Sequence, residues 1–398
     1  MAGARTQDRM NLGALLLLSL GHLITDLSQG ALPMLLPFLK EAFGLSYAAA
    51  GAIVMTSNLT SSLVQPAFGY YSDRHGAVWM IPTGIAVSCV GFGFLGLAPN
   101  YPVLLAIVFI SGLGVAGFHP EGFKAARFFT GDRMATGMSY FSVGGNLGFG
   151  LGPLLAIWIH SWLGLKGMVL FLVPGLIAGG IFAAALGWLA APQRAREKAG
   201  ASQAHPRPAP LGKRRIPLIF LILAVSVRSW VQMGLMAFIP FYFVTVLKGD
   251  PLMVGKLLTV FLVAGAIGTL VGAPVADRVG HKRFFVLTMV VLTPLLWLFL
   301  HCEGWWYFLV LGLVGAFLVS TFSVTVVMAQ QVLPDRLGMA AGLMVGFAIG
   351  MGGIGAAVLG SVADTYGVVT VLRITALLPI AAALAAAAIP YPPQGRNV

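Results

Sequence analysis

Apolar residues run along this chain in long blocks, and the polar positions gather in short breaks between them. Six blocks precede residue 191, at 13–39, 47–71, 79–98, 102–126, 136–160 and 168–190. Six more follow residue 215, at 216–246, 253–275, 284–301, 306–332, 338–360 and 368–389. About 18 or more apolar residues are enough to carry an α-helix across the hydrocarbon core of a bilayer. The pattern therefore predicts an all-α integral membrane protein with twelve transmembrane helices in two six-helix halves, 1–190 and 216–398. Between the halves, residues 191–215 are rich in Pro, Ala and basic side chains and lack hydrophobic periodicity, which reads as a solvated basic linker.

Composition agrees with that reading. Hydrophobic residues make up 58% of the chain and charged ones 9%, against about 25% charged in soluble domains. The net charge of +12 would suit nucleic acid, but the basic residues sit in short loops and form no stripe interleaved with aromatics, so nucleic acid is not an expected partner. The two cysteines, Cys89 and Cys302, make neither a disulfide framework nor a metal site. The polar leader MAGARTQDRM runs into an apolar block without a clear cleavage site, so that block reads as the first membrane helix. No His-Glu-x-x-His, Gly-x-Ser-x-Gly or phosphate-binding Gly-x-x-x-x-Gly-Lys-Ser/Thr pattern occurs, so neither an enzyme, a bound cofactor or metal, nor an ATP-driven pump is expected.

Charge also sets the expected orientation, because Lys and Arg concentrate in cytoplasmic loops. With a cytoplasmic N-terminus, 17 of the 24 basic residues fall inside, among them Arg74, Arg127, Arg133, Arg278, Lys282, Arg283 and Arg336. Five fall outside: Lys40, Lys166, Lys248, Lys256 and Arg373. Both termini and the linker are thus expected in the cytoplasm.

Two short phrases recur 204 residues apart: Gly69-Tyr-Tyr-Ser-Asp73-Arg74-His-Gly76 and Ala273-Pro-Val-Ala-Asp277-Arg278-Val-Gly280. Both follow the second block of a half, so the chain reads as a duplicated 6+6 unit, a recurring plan for secondary transporters. Asp73 and Asp277 are expected in cytoplasmic turns, accepting from backbone N–H groups at the start of a helix in the other half. That contact would form in one transport state and break in another, with Gly69, Gly76 and Gly280 permitting a tight turn and close approach. Gly144, Gly148 and Gly152 lie on one face of the fifth block and Pro153 follows them. Such a stripe brings helix backbones together, as fixed packing or as a moving interface. The eleventh block is crowded in the same way by Gly346, Gly350, Gly352, Gly353 and Gly355.

Ionisable residues at membrane depth are expensive and point to function. His22, Asp26 and Gln29 share one stripe of the first helix. Arg228 sits at nearly the same depth in the seventh, so Asp26 and Arg228 are expected to line one cavity. The fourth block carries His119, Pro120, Glu121 and Lys124, with a kink expected at Pro120. Asp26, His119 and Glu121 are the candidate proton carriers; the alternative for Glu121 is an ordinary i,i+3 ion pair with Lys124. Arg228 is the candidate anion ligand, since its guanidinium stays charged and presents a fork of donors. His22, Gln29, Lys124, Asn146, Trp230 and Gln330 are candidate secondary contacts, along with Gln232 and Gln331.

Twelve spans, the doubled Asp-Arg-x-Gly phrase and a Gly-rich fifth helix ending Gly-Pro resemble the major facilitator superfamily. Within it, GHLITDLSQGALPMLLPFL, FHPEGFKAAR, VGGNLGFGLGPLLA and GLMVGFAIGMGGIGA resemble the fosmidomycin-resistance group of drug exporters. One departure is that the first phrase continues Gly76-Ala77-Val78, where the family has basic residues, while the second keeps His281-Lys282-Arg283. The resemblance implies the major facilitator fold with two pseudo-symmetric bundles. It implies a proton-coupled transporter in the inner membrane, working as a monomer and exporting a small anionic compound such as the phosphonate fosmidomycin. Import or exchange of an organic acid, a sugar or another metabolite on the same fold is the alternative. A non-transporting membrane receptor is the alternative from another class.

Overall fold

The computed structural model describes residues 10–45, 47–201, 214–248 and 251–390. Arg5, Arg9, Arg207, Lys213 and Arg396, used in the orientation argument, lie outside the described residues. The described chain is helical, with no strand among its described residues. The N-terminal helices are α1 (Leu12–Phe43), α2 (Tyr47–Leu63), α3 (Gln65–His75), α4 (Met80–Phe94), α5 (Tyr101–Phe128), α6 (Met134–Leu163) and α7 (Leu172–Ala201). The C-terminal ones are α8 (Arg215–Phe241), α9 (Pro251–Val279), α10 (His281–Phe299), α11 (Trp306–Val332), α12 (Leu337–Tyr366) and α13 (Val368–Ala387). Eleven of them are long and apolar enough to cross a membrane.

The remaining two, α2 and α3, together make the second expected span. It breaks at Val64 because Pro66 has no N–H to continue the ladder, and the Ala67 and Phe68 amides both turn to the Val64 carbonyl at 3.1 Å. The Asp-Arg-x-Gly phrases also differ from expectation, since they are not loops. Asp73 and Arg74 belong to the last turn of α3, which Gly76 closes in the left-handed region at φ 61. Asp277 and Arg278 likewise lie in the last turn of α9, followed by Gly280 at a positive φ of 96 but with extended ψ. Asp and Arg are compatible with helix, and only glycine takes positive φ at little cost. Helix α7 runs on to Ala201, past the expected end at 190. Helices α5 and α6 pass through Pro120 and Pro153 without interruption.

The chain forms two compact units, 1–209 with 335–346, and 210–334 with 347–398. In the first, α6 lies along α1, and α4 packs on α5 and α7. In the second, α10 packs on α11 and α13, the counterpart of α4 on α5 and α7, and α9 lies along α11 as α2 does along α5. The glycines of α6 have a definite use. A Cβ on Gly144, Gly148 or Gly152 would strike the carbonyl of Ser19, Leu23 or Leu27 respectively, each one turn further along α1. Small residues at this spacing let the two backbones meet directly. Helix α12 is divided, its start belonging to the first unit and the rest to the second.

Candidate functional site

Three polar centres sit inside the units. In the first unit, His22 and Asp26 of α1 meet His119 of α5, all three buried. His22 Nε2 lies 3.2 Å from Asp26 Oδ2. His119 Nε2 lies 3.2 Å from Asp26 Oδ1 and 3.2 Å from His22 Nε2. One atom of each group falls within 4.8 Å of the others. A divalent cation suits such a spacing, and so does a shared proton.

The hydrogen bonds decide where the protons are. His22 Nδ1 is 2.9 Å from the Phe141 carbonyl oxygen, and a carbonyl has no hydrogen to give, so Nδ1 carries one and donates. In a neutral imidazole the other nitrogen is then a bare lone pair. That lone pair can accept from His119 Nε2, 3.2 Å away, while a proton on His22 Nε2 instead makes a charge-assisted hydrogen bond to Asp26. The three groups together therefore have room for one exchangeable proton. The His22 ring stacks on Phe141 at 4.3 Å between centroids and is flanked edge-on by Phe123 at 5.7 Å, apolar rings that exclude water. Gly145 makes room for it, since a Cβ there would strike the imidazole. Asp26 Oδ1 and His119 Nδ1 receive no aligned hydrogen bond.

Glu121, two residues from His119, faces elsewhere because neighbours at i and i+2 point about 200° apart on a helix. Its carboxylate is 3.0 Å from Lys124 Nζ and accepts from the Ser72 hydroxyl. Lys124 also donates to the Ser72 carbonyl at 3.0 Å and to the Ser72 hydroxyl at 2.6 Å. An ammonium has three donors, so Lys124 has none left for a ligand and the expectation of a substrate contact there is not met. Glu121 forms the ion pair that was its alternative reading.

Beside Ser72, Asp73 grips the start of α12. Its two oxygens accept from the Gly338 and Met339 amides, each at 2.9 Å. These are among the first N–H groups of α12, which have no partner within their own helix, and the helix dipole favours an anion there. Gly69 and Gly338 let the two backbones come this close. Burial raises the Asp73 carboxyl above the usual range, while the Met339 and Gly338 amides and the Lys124 and Arg336 cations hold it down in part. Arg74 is exposed and lies over the Tyr70 ring at 4.5 Å. In the second unit, Asp277 Oδ1 lies 3.1 Å from His281 Nε2, and His281 Nδ1 lies 3.3 Å from Gln331 Oε1. Arg278 is exposed.

Arg228 of α8 is 2% exposed. Its Nε donates to Thr321 Oγ1 at 3.1 Å and one terminal nitrogen to the Leu318 carbonyl at 3.2 Å, and its plane lies 5.7 Å from the Phe322 ring. These partners are neutral, and within its unit no carboxylate among the described residues comes within ion-pair distance. The remaining candidates do not gather around it. Trp230, two residues on, turns to α12, where Gly355 leaves room for its ring. Gln330 lies more than two turns along α11 from Thr321, and Gln331 is engaged with His281. Gln29 and Asn146 are half-buried in the first unit. Sequence reasoning missed Phe141, Gly145 and Ser72 around the first two centres and Thr321 beside the third.

With this geometry in place, likeness to known proteins narrows the possibilities. The Major Facilitator Superfamily profile matches residues 18–255 and 246–398. The fosmidomycin resistance protein of Escherichia coli (strain K12) is 33% identical over 380 residues, covering 95% of this chain and 93% of that protein. An MFS-type transporter, YfnC, of Bacillus subtilis (strain 168) is 34% identical over 380 residues, covering 93% and 91%. Among solved structures, the transporter FucP in its outward conformation superposes with a TM-score of 0.71 at 16% identity, covering 94% of this chain and 97% of FucP. The human organic anion transporter MFSD10 gives a TM-score of 0.70 at 19% identity, covering 94% and 98%.

Proposed function

This chain belongs to the major facilitator superfamily, and from that premise we propose that it is a proton-coupled exporter of a small anionic compound, with a phosphonate such as fosmidomycin as the first substrate to test. The observation that carries the reading is the proton count at His22, Asp26 and His119. With the Phe141 carbonyl holding a hydrogen on Nδ1, His22 Nε2 is left either to carry a second hydrogen toward Asp26 or to accept from His119, and these two arrangements differ by one proton. Each proton moving down about 100 mV contributes about 2.3 kcal/mol, roughly a fiftyfold gradient of substrate.

Arg228 binds the anion in this reading, because a buried guanidinium with neutral partners gains from a phosphonate, phosphate or carboxylate. The likeness to a relative named for fosmidomycin resistance favours the phosphonate and the export direction. Trp230 and Gln330, in the same unit as Arg228, are the candidates for secondary contacts on this proposal. Asp73 acts as a latch: its hold on α12 is made in one state of an alternating-access cycle and released in another, and Gly148, Gly152 and Pro153 keep α6 seated on α1 throughout. The chain works as a monomer in the inner membrane, with both termini in the cytoplasm.

The test is proton release or uptake by purified protein in weakly buffered detergent when fosmidomycin is added. A proton signal lost in Asp26→Asn, with binding lost in Arg228→Ala, is the expected result. Binding with no proton signal in the wild type would sink the coupling. Inside-out vesicles give the direction, since an exporter loads them when their lumen is acidic.

A further inference from the structure

Beside the triad, on the side away from Lys124 and Asp73, the first unit encloses a small cavity between α1, α2, α4 and α5. Its volume is about 10 Å³, the room one water needs. The polar groups on its wall are Ser28, Gln29, Ser57 and Ser111. The Ser28 hydroxyl donates to the Thr25 carbonyl at 2.7 Å and the Ser111 hydroxyl to the Ser88 carbonyl at 2.8 Å. Both oxygens therefore keep lone pairs free to accept from a water. The Gln29 amide and the Ser57 hydroxyl supply donors, which completes the two to four partners a buried water requires.

The cavity is also in register with the triad. On α1, Gln29 follows Asp26 by three residues, and on α5 Ser111, Gly112 and Val115 precede His119 by eight, seven and four. These are the helical spacings that place residues on one face. The wall is therefore the continuation of the faces that carry Asp26 and His119. Gln29 is about 4.5 Å further along the axis than Asp26, less than one helical turn. Asp26 Oδ1, the oxygen that receives no aligned hydrogen bond, offers the chain an open acceptor.

We infer that this cavity holds a relay water through which protons enter and leave the triad, so that they travel inside the first unit on a path of their own; the inference rests on the proton-coupled reading above. A hydronium ion on the cavity side gives a proton to the relay water and is left as water. The relay water passes one proton to Asp26 Oδ1; the carboxyl turns over, presents it from the Oδ2 position to His22 Nε2 and returns to carboxylate, so the triad gains one proton with its charge and the relay water is unchanged. Release runs the same steps in reverse. Ser57 and Gln29 hold the water in place without themselves titrating.

The experiment needs no transported substrate. Protein in lipid vesicles is given an acid jump, and protonation is followed by time-resolved infrared difference spectroscopy, the triad signal being the part that Asp26→Asn removes. Ser57→Val and Ser57→Thr have nearly equal volume, but only the second keeps a hydroxyl. Ser57→Val and Gln29→Leu should each slow the signal about tenfold, the effect of losing one hydrogen bond in the rate-limiting step, with amplitude unchanged. Ser57→Thr should stay near the wild-type rate. Equal rates for the Val and Thr variants, or a wild-type rate for Gln29→Leu, overturn the relay and leave the triad standing. A wild-type protein with no signal that Asp26→Asn removes overturns the proton reading and the relay together.

Discussion

The first helix of each half carries one ionisable centre at a similar distance from its start, and the two are finished in opposite ways. On α1, Asp26 is met by two imidazoles, groups that can each carry one hydrogen or two. On α8, Arg228 is met by a hydroxyl, a carbonyl and a phenyl ring, none of which can neutralise it. A buried charge with no counter-charge costs several kcal/mol. The first unit has groups that can take up a proton, while in the second no such group meets Arg228. On the function proposed above, the comparison teaches that the two halves of a duplicated chain can divide the labour, one for the coupling ion and the other for the cargo.

Asp26→Asn should break the division most completely. The amide keeps the shape but cannot hold the proton, so proton exchange on addition of fosmidomycin should fall to zero in a weakly buffered titration, with affinity by calorimetry changed little. A parallel loss of affinity would mean that the two centres are one site.

Arg228→Ala should come next. Losing a hydrogen-bonded charge costs about 2 kcal/mol, or roughly thirtyfold in affinity, while the infrared signal of the triad persists. Arg228→Lys keeps the charge but not the fork, so it should recover part of that loss; full recovery would reduce the role of Arg228 to charge alone.

Gly148→Val sharpens the comparison through packing. Its side chain meets the Leu23 carbonyl, and overpacking of this kind costs about 1–3 kcal/mol. A lower Tm should come with a disturbed His22 to Phe141 contact and a smaller proton signal. Unchanged stability would argue that α6 is not seated on α1 as described.

The smallest effect concerns Asp73. Burial raises its carboxyl in the latched state above the value of about 3.9 for an exposed Asp. The latched state then binds a proton more tightly than the released one. The proton-linked part of its stability is complete below the exposed value and is lost as pH rises through the latched-state value. Hydrogen exchange at Gly338 and Met339, corrected for intrinsic pH dependence, should be slower in mild acid than at neutral pH. In Asp73→Asn that difference should vanish; an unaltered difference would assign it to another group.

Much of this was legible in the hydropathy of the chain. The span at 306–332 has the same limits in α11, because Glu303 and Gly304 on one side and Pro334 on the other bound a long run without a charged residue. The break at Val64 was signalled by Pro66 but hidden by the hydrophobicity around it. Within the triad, the i,i+4 spacing of His22 and Asp26 paired them directly. His119 comes from 97 residues further on, and its neighbour Glu121 suggested a pairing that helix geometry forbids. Two positions had no side-chain signature. The Phe141 carbonyl is backbone, and Gly145 makes its contribution by leaving space, inside a run that read as fixed packing or a moving interface. The expectation for Lys124 failed for another reason, since its donors are filled by Ser72, a residue of ordinary appearance at the end of α3.

The bond from His22 to the Phe141 carbonyl has a consequence for how such a protein diversifies. A backbone oxygen cannot be replaced by mutating its residue, so the tautomer of His22 is shielded from most substitutions at position 141. The hydroxyl and ring beside Arg228, from Thr321 and Phe322, are ordinary side chains that one base change can alter. If Arg228 and the triad have the roles proposed for them, descendants of this chain can explore new cargoes around Arg228 while inheriting the coupling chemistry of the first unit.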